Sequence, residues 1–420
     1  MSLTRRIVSP AKCGEVGAIA SKSELHRALV AASLCKGQTE ILFCGLSEDI
    51  LATVSSLSAL GAEIQMTPGG CTVRYAQKPE KATLDVGESG STLRFLLPVA
   101  AAMGVDATFL GRGRLGKRPI APLALQLEEH GAKIVGSELP LRVGAGLSAG
   151  RFELSGNISS QFVTGLLLAM PLLGTEASLA LTTPLESAAY VDVTRSVLSA
   201  FGVTFDVGAG EYRLVPGSAY RSPGRYTVEG DWSNAAFHLV SGAIGGDVSV
   251  SGLSEGSLQA DRAVLDALRL AGATPRFENQ TVRVAAPERL SAFDFDVSGC
   301  PDLFPILCVL AAACEGESHL FGGARLRYKE SDRIASTEAM LRALGASVFA
   351  TEDGMTVLGG RRLSGGVVDG AGDHRIVMAG AVARSLCEGD VIICGADAVS
   401  KSYPAFFDDF ASLKGESYEI

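Results

Sequence analysis

The sequence predicts an α/β protein made of six copies of one unit, arranged as two pseudo-symmetric lobes of three. Three observations carry that reading. Polar, cap-forming residues precede apolar helical runs at a steady interval. The markers Lys22, Ser91, Ser160, Ser233, Asp302 and Asp373 are separated by 69, 69, 73, 69 and 71 positions. A glycine that closes a helix before a short strand recurs at Gly61, Gly131, Gly202, Gly272, Gly345 and Gly415, at intervals of 70, 71, 70, 73 and 70. Glycine past a helix end supplies the left-handed residue that a C-cap needs. Between the markers one grammar repeats: strand, polar helix start, strand, second helix, glycine, paired strands. A period near 70 is far longer than the roughly 20–50 residues of solenoid repeats.

Each element has a local reason. Residues 4–9 read as a short strand. Ser21-Lys22-Ser23-Glu24-Leu25-His26-Arg27 then opens an apolar helix with a serine cap. Such a start offers unpaired N–H groups and the positive end of the helix dipole to an anion, and Lys22 and Arg27 add full charges. A strand follows around Glu40–Phe43. Ser47-Glu48-Asp49 caps a second helix, roughly Ile50 to Leu60. Strands near Glu63–Met66 and Cys71–Tyr75 flank the turn Pro68-Gly69-Gly70. Leu84-Asp85-Val86 feeds the second unit. The lobe switch is expected near Thr227-Val228-Glu229-Gly230. If the first strand pairs back with the last unit, one lobe holds residues 1–15 and 230–420 and the other residues 16–229.

Composition narrows the class. The 420 residues are 47% hydrophobic and 20% charged, as in a well-packed globular protein. The net charge of -9 and the absence of a long basic run argue against a nucleic-acid or membrane-surface partner. Nine cysteines without a C-x-x-C pair fit a reduced cytoplasmic compartment. The five histidines have no metal-ligand spacing. Met1-Ser2-Leu3-Thr4-Arg5-Arg6 is followed by no apolar signal core. The most apolar stretch, Phe162 to Leu173, is too short to cross a bilayer and reads as a buried helix.

Several motifs carry chemistry. Gly87-Glu88-Ser89-Gly90-Ser91-Thr92-Leu93-Arg94 is a glycine-containing loop at a helix start, where a ligand can approach backbone N–H groups. Ser159-Ser160-Gln161 offers two hydroxyls and an amide. In Gly113-Arg114-Leu115-Gly116-Lys117-Arg118-Pro119 the proline holds Arg118 extended. Arg325-Leu326-Arg327-Tyr328-Lys329-Glu330-Ser331-Asp332-Arg333 is the densest charged stretch, and a solvated salt-bridge face is its ordinary explanation. Asp373-His374-Arg375 and Lys401-Ser402-Tyr403-Pro404 add cations downstream. An acidic chain thus sets Lys22, Arg27, Arg118, Arg333, Arg375 and Lys401 at or near recurring loop-to-helix junctions. Equivalent folding would turn these junctions toward one cleft suited to two anions side by side. Two like charges about 4 Å apart repel by about 4 kcal/mol at an intermediate dielectric, so interposed cations are needed. Asp302 and Glu330 would then be available for general acid–base work.

Taken in order, Ser21-Lys22-Ser23…Arg27, Ser159-Ser160-Gln161, Lys329-Glu330-Ser331-Asp332-Arg333, Asp373-His374-Arg375 and Lys401-Ser402-Tyr403-Pro404 resemble the 5-enolpyruvylshikimate-3-phosphate synthase family along the whole chain. The resemblance implies two lobes of three βαβαββ units each, an inside-out α/β barrel, with the active site in the inter-lobe cleft and the first strand in the C-terminal lobe. It implies transfer of the enolpyruvyl group of phosphoenolpyruvate to the 5-hydroxyl of shikimate 3-phosphate through a tetrahedral intermediate, with release of phosphate. It implies no metal, no cofactor and a monomer acting on small molecules. By matching positions, Lys22, Gly90, Arg118, Gln161, Arg333, Arg375 and Lys401 would hold phosphoenolpyruvate. Lys22, Ser23, Arg27, Ser159, Ser160, Gln161, Ser187, Asp302 and Lys329 would hold shikimate 3-phosphate. Asp302 would take the 5-hydroxyl proton. Glu330, with Lys22 or Lys401, would handle the proton at the methylene carbon.

Two positions depart from the family pattern. Gly87-Glu88-Ser89-Gly90-Ser91 stands where Gly-Asn-Ala-Gly-Thr is usual, so Glu88 would weaken anion binding unless it points away. Arg325 stands where Asn is frequent and is left out of the site. Glyphosate inhibition is expected because Gly90 is kept. Three alternatives remain. The UDP-N-acetylglucosamine enolpyruvyl transferases resemble this family in fold, but carry a reactive cysteine in the loop that corresponds to Arg112–Arg118, where this chain has none. RNA 3′-phosphate cyclases share the unit but act on nucleotides, which the acidic balance disfavours. The third alternative is a non-catalytic anion-binding repeat protein, which would tolerate loss of Asp302 and Glu330.

Overall fold

The computed structural model describes residues 3–75, 77–144, 146–174 and 177–420; Met1 and Ser2 of the N-terminal stretch read above lie outside them. The chain divides into two compact units. An inserted unit runs Ser21–Val228, and a terminal unit joins the residues up to Ala20 to Glu229–Ile420. The terminal unit therefore keeps residues 16–20 and Glu229, which the sequence reading had placed in the inserted lobe. The cause is pairing: Cys13–Gly17 lies parallel to Asp247–Ser251, and Ala20 bridges Gly230.

Among the described residues, six four-stranded sheets follow one plan, three in each unit. Each has one parallel pair and then an antiparallel pair, which is a hairpin in five of the sheets. In the inserted unit Lys81–Asp85 pairs parallel with Asp106–Leu110, and Leu141–Gly144 and Lys133–Val135 follow antiparallel. A parallel pair needs a crossover, which the buried helix Gly90–Met103 supplies. Both units close on themselves. Arg225–Thr227, at the far end of the inserted unit, gives Gln38–Leu42 its parallel partner. In the terminal unit Thr4–Ser9 lies antiparallel between Val391–Cys394 and Glu416–Glu419. Residues 4–9 are thus a strand of the sixth repeat and do not feed the Lys22 helix, and the strands Cys13–Gly17 and Arg225–Thr227 are additions to the sequence reading.

The core is helical. Lys22–Ser33, Gly90–Met103 and Ser160–Ala169 are buried almost throughout in one unit, as are Trp232–Gly245, Phe304–Ala313 and His374–Ala383 in the other. A helix apolar on every side belongs in an interior, and the polar residues that cap these helices are buried with them: Ser21, Ser89, Asp231 and Asp373 are each below 5% exposed. Side chains of Ser21, Ser89, Ser159, Asp231 and Asp373 accept from N–H groups of the first turn. The second helices end at Gly61, Gly131, Gly202, Gly272 and Gly345 with φ of 80 to 100°. Gly415 breaks this series: Lys414 takes the left-handed place with φ 65°, and Gly415 is small because a Cβ there would lie 2.2 Å from the Phe410 ring. The apolar Phe162 to Leu173 run is the buried helix Ser160–Ala169 continued by the 3-10 turn Met170–Leu173. Gly165 serves close packing within it, since a Cβ would come 2.2 Å from the Arg94 carbonyl oxygen. Among the described residues no helix is long and apolar enough to cross a membrane.

Candidate functional site

Lys22 opens the first buried helix. Its Nζ donates to Asp49 Oδ2 at 2.7 Å, and Asp49 stands in the first turn of Glu48–Ala59. Arg27 turns inward. Nε donates to Thr194 Oγ1 at 2.7 Å, Nη1 to the Ser23 carbonyl at 2.5 Å, and Nη2 to the Tyr190 carbonyl at 3.0 Å and Thr164 Oγ1 at 3.3 Å. Burial lowers its pKa to about 10 against the opposing pull of Tyr190 and Glu24, so it stays charged at neutral pH. Arg27 therefore ties the first repeat to the helices Ser160–Ala169 and Ala188–Ala200, and it holds the Ser23 backbone. Between Lys22 and Arg27, His26 is driven well below its usual pKa by burial and by both charges, and is neutral. Its Nδ1 meets Thr53 Oγ1 at 2.7 Å. Thr53 meets Thr92 at 2.6 Å, and Thr92 donates to the Ser89 cap at 2.7 Å. This chain of short polar side chains joins the Lys22 helix to the Gly90 loop.

Gly90 is the first residue of its helix. A Cβ there would lie 2.6 Å from Arg94 Nη1 and 2.7 Å from Arg118 Nη1, so two guanidinium groups crowd its α-carbon. Arg94 Nη1 donates to Gln161 Oε1 at 2.8 Å, and Gln161 Nε2 to Ser91 Oγ at 3.0 Å. Arg118 has φ -81° and ψ 138°, the extended form its proline requires. The Glu88 carboxylate lies over Gly113, whose added Cβ would be 2.4 Å from Glu88 Cδ; the acid is turned onto the 113–117 loop. Ser159 Oγ accepts from the Gln161 N–H at 3.3 Å, and Ser160 is buried. Ser187 adopts φ 54°, ψ 47° just before Ala188–Ala200. A non-glycine residue there carries about 1–2 kcal/mol of strain.

The terminal unit gathers a second set. Arg333, with 2% of its side chain exposed, bonds three carboxylates. Nε donates to Asp373 Oδ2 at 2.8 Å, Nη1 to Asp302 Oδ1 at 2.7 Å and Nη2 to Glu330 Oε2 at 2.7 Å. Arg375 Nη2 donates to Asp302 Oδ2 at 2.8 Å and Ser233 Oγ at 3.0 Å. Lys329 Nζ reaches Asp302 Oδ1 at 3.4 Å. Ser331 donates to Asp373 at 3.1 Å, and Asp332 caps Arg333–Ala343 through the Ala335 N–H. Every residue from Lys329 to Arg333 is thus accounted for, and the segment is not a solvated salt-bridge face. Burial pushes the Asp302 carboxyl up, but the charges of Arg375, Lys329 and Arg333 outweigh it and hold the group well below the usual carboxylate range. Three cations and three carboxylates balance here, which tempers the expectation of a purely cationic cluster. Arg375 itself is left incomplete. Among the described residues, Arg375 Nε and Nη1 are buried without a hydrogen-bond partner. Buried polar atoms are nearly always paired, and leaving one unpaired costs roughly 1–3 kcal/mol.

Lys401 ends the 3-10 turn Ala396–Lys401 and donates to the Gly372 carbonyl at 2.8 Å, next to Asp373. The residues after it are anchors. Ser402 accepts from Asn234 at 3.2 Å, and the Tyr403 hydroxyl meets His238 Nε2 at 3.0 Å and Asp409 Oδ2 at 2.6 Å. Arg325 Nη2 donates to the Ser298 carbonyl at 3.1 Å. Sequence reasoning passed over Asp49, Arg94 and the side-chain role of Asp373. A signal for Arg94 existed: it is one full charge inside Leu93–Leu97, an otherwise apolar helical run.

The EPSP synthase (3-phosphoshikimate 1-carboxyvinyltransferase) family model matches residues 10–410. A 3-phosphoshikimate 1-carboxyvinyltransferase of Clostridium perfringens is 39% identical over 416 residues, covering 97% of this chain and 98% of that protein. One of Methanocorpusculum labreanum is 39% identical over 414 residues, covering 97% of each. Among solved structures, an EPSP synthase of Acinetobacter baumannii matches with a TM-score of 0.83 at 27% identity, over 99% of this chain and 100% of that one. The enolpyruvyl transferase NikO of Streptomyces tendae matches with a TM-score of 0.76 at 14% identity, over 100% of this chain and 99% of that one, a likeness of fold alone.

Proposed function

The chain belongs to the EPSP synthase family, and from that premise we propose that it transfers the enolpyruvyl group of phosphoenolpyruvate to the 5-hydroxyl of shikimate 3-phosphate, releasing phosphate. The observation that carries the site assignment is the half-used guanidinium of Arg375. Its Nη2 secures Asp302, while Nε and Nη1 are buried without a partner among the described residues. These two N–H groups lie on different edges of the guanidinium, so each would donate a separate charge-assisted bond to a carboxylate or phosphate oxygen.

In this reading Arg333, Arg375 and Lys401 in one unit, and Lys22, Gly90, Arg118 and Gln161 in the other, hold phosphoenolpyruvate. Lys22, Ser23, Arg27, Ser159, Ser160, Gln161, Ser187, Asp302 and Lys329 hold shikimate 3-phosphate. The 5-oxygen attacks the substituted enol carbon and its proton passes to Asp302. Glu330 delivers a proton to the methylene carbon, which becomes a methyl group. The resulting tetrahedral adduct then loses one methyl proton and expels phosphate, which restores the double bond. Holding both reactants in place converts a two-molecule encounter into a step within one complex.

Electrostatics gives the order of events a physical basis. With three cations around it, Asp302 is a feeble base in the free protein. Two bound anions would share those cations and raise its proton affinity, so the base becomes effective when both substrates are present. The same reading takes the chain as a monomer in the cytoplasm, needing no metal or organic cofactor; its nine cysteines, all free thiols, support a reducing compartment.

The test is phosphate release from phosphoenolpyruvate with and without shikimate 3-phosphate. Release should require shikimate 3-phosphate; release that instead requires UDP-N-acetylglucosamine would transfer the assignment to that enolpyruvyl transferase family. Gly90→Ala probes the anion pocket. Its methyl group meets two guanidinium ends, and overpacking of this kind typically costs about 1–3 kcal/mol. Inhibition by glyphosate should weaken by a larger factor than the KM for phosphoenolpyruvate rises. Equal losses for both would remove Gly90 from the site.

A further inference from the structure

We infer that Arg94 is the positioning residue that sets the phosphoenolpyruvate-binding arm of the inserted unit, an inference that rests on the reading just given. Three residues assigned there to phosphoenolpyruvate, Gly90, Arg118 and Gln161, come from three separate segments. Arg94 touches all three or their immediate neighbours. It sits one helical turn after Gly90, and its side chain runs back over the helix start, so that Nη1 is 2.6 Å from where a Gly90 Cβ would be. The same Nη1 donates to Gln161 Oε1 at 2.8 Å. Nη2 donates to the Pro119 carbonyl at 3.1 Å, and so pins the peptide next to Arg118.

The clamp is itself held. Arg94 is 3% exposed, its guanidinium carbon lies 5.6 Å from the Phe162 ring centroid, and its carbonyl oxygen faces the Gly165 α-carbon. A buried charge cannot relax into water, so its bonds fix the loop and the glutamine more firmly than a surface charge would. Because Gln161 Oε1 accepts from Arg94, its Nε2 is left as the donor toward Ser91. Arg94 thereby also decides which face of the Gln161 amide is presented.

The substitutions Arg94→Lys and Arg94→Gln test this, with Arg118→Gln measured in parallel. Lysine keeps the charge but cannot bond Gln161 and Pro119 at once. Arg94→Lys should raise the KM for phosphoenolpyruvate about tenfold, change kcat by less than about threefold, and move the KM for shikimate 3-phosphate several times less. A residue with only a structural role would lower the melting midpoint and the active fraction without that split. Should Arg94→Gln fail to fold, coupling to Gly90 supplies a second readout. Gly90→Ala should cost at least about threefold less in phosphoenolpyruvate KM in the Arg94→Lys background, because one of its two clashing partners has been shortened. An unchanged phosphoenolpyruvate KM in Arg94→Lys, beside a raised one in Arg118→Gln, overturns the inference and leaves the proposed function standing. Unchanged values in both overturn the two together.

Discussion

Asp302→Asn is expected to lower turnover by about a thousandfold while the protein still binds phosphoenolpyruvate, the middle of the range for loss of a general base. Asparagine keeps the shape, but its one amide oxygen can accept from Arg333 or from Arg375 and not from both, since they bond different carboxylate oxygens, and it cannot take a proton. The three cations that meet Asp302 would lose their shared counter-charge, so phosphoenolpyruvate should bind at least as well as before. Steady-state kinetics with a direct binding measurement separates the two effects. Turnover within about tenfold of the native rate would remove Asp302 as the base.

Asp373→Asn should destabilise the protein by about 3 kcal/mol, the lower end of what breaking a buried ion pair costs. Asp373 is fully buried. It accepts from Arg333 Nε, from Ser331 and from the Arg375 backbone N–H, and so joins helix cap and guanidinium anchor in one group. Arg333 keeps Asp302 and Glu330, which is why the loss stays at the lower end. The pH dependence follows. Burial raises the Asp373 carboxyl, but Arg333 and His374 pull it below its usual range. A depressed carboxylate contributes stability that is present above the unfolded value, about 3.9, and is lost as pH falls through the folded one. Acid unfolding followed by circular dichroism should therefore show a smaller stability loss below about pH 4 in Asp373→Asn than in the native chain. Equal acid profiles would mean that Asp373 carries no such linkage.

The period was legible because the physics behind it is local. A cap, an apolar run and a left-handed glycine each leave a mark within a few positions, and five of the six closing glycines stand where that rule puts them. Gly415 satisfied the spacing for another reason, the Phe410 ring beside it. Strand partnership was less visible. Nothing in Arg225–Thr227 or Cys13–Gly17 names a partner some 185 or 235 positions away, so the exact lobe boundary followed only from the pairing. The same holds for the site. Cations at helix starts were countable, but spacing does not announce their carboxylate partners: Asp49 stands on the second helix of the Lys22 repeat, and Asp373 belongs to the repeat after that of Arg333. A count of charges therefore overstated how cationic the terminal cluster is.

In the proposed mechanism two carboxylates move protons at two different atoms, Asp302 at the 5-oxygen and Glu330 at the methylene carbon. Running the reaction in deuterium oxide and reading the product's vinyl protons by NMR tests this most directly. Deuterium is expected at the methylene carbon of the product, since that carbon becomes a methyl group before phosphate leaves. A product that carries no deuterium there, while phosphate is released at the normal rate, would contradict the mechanism.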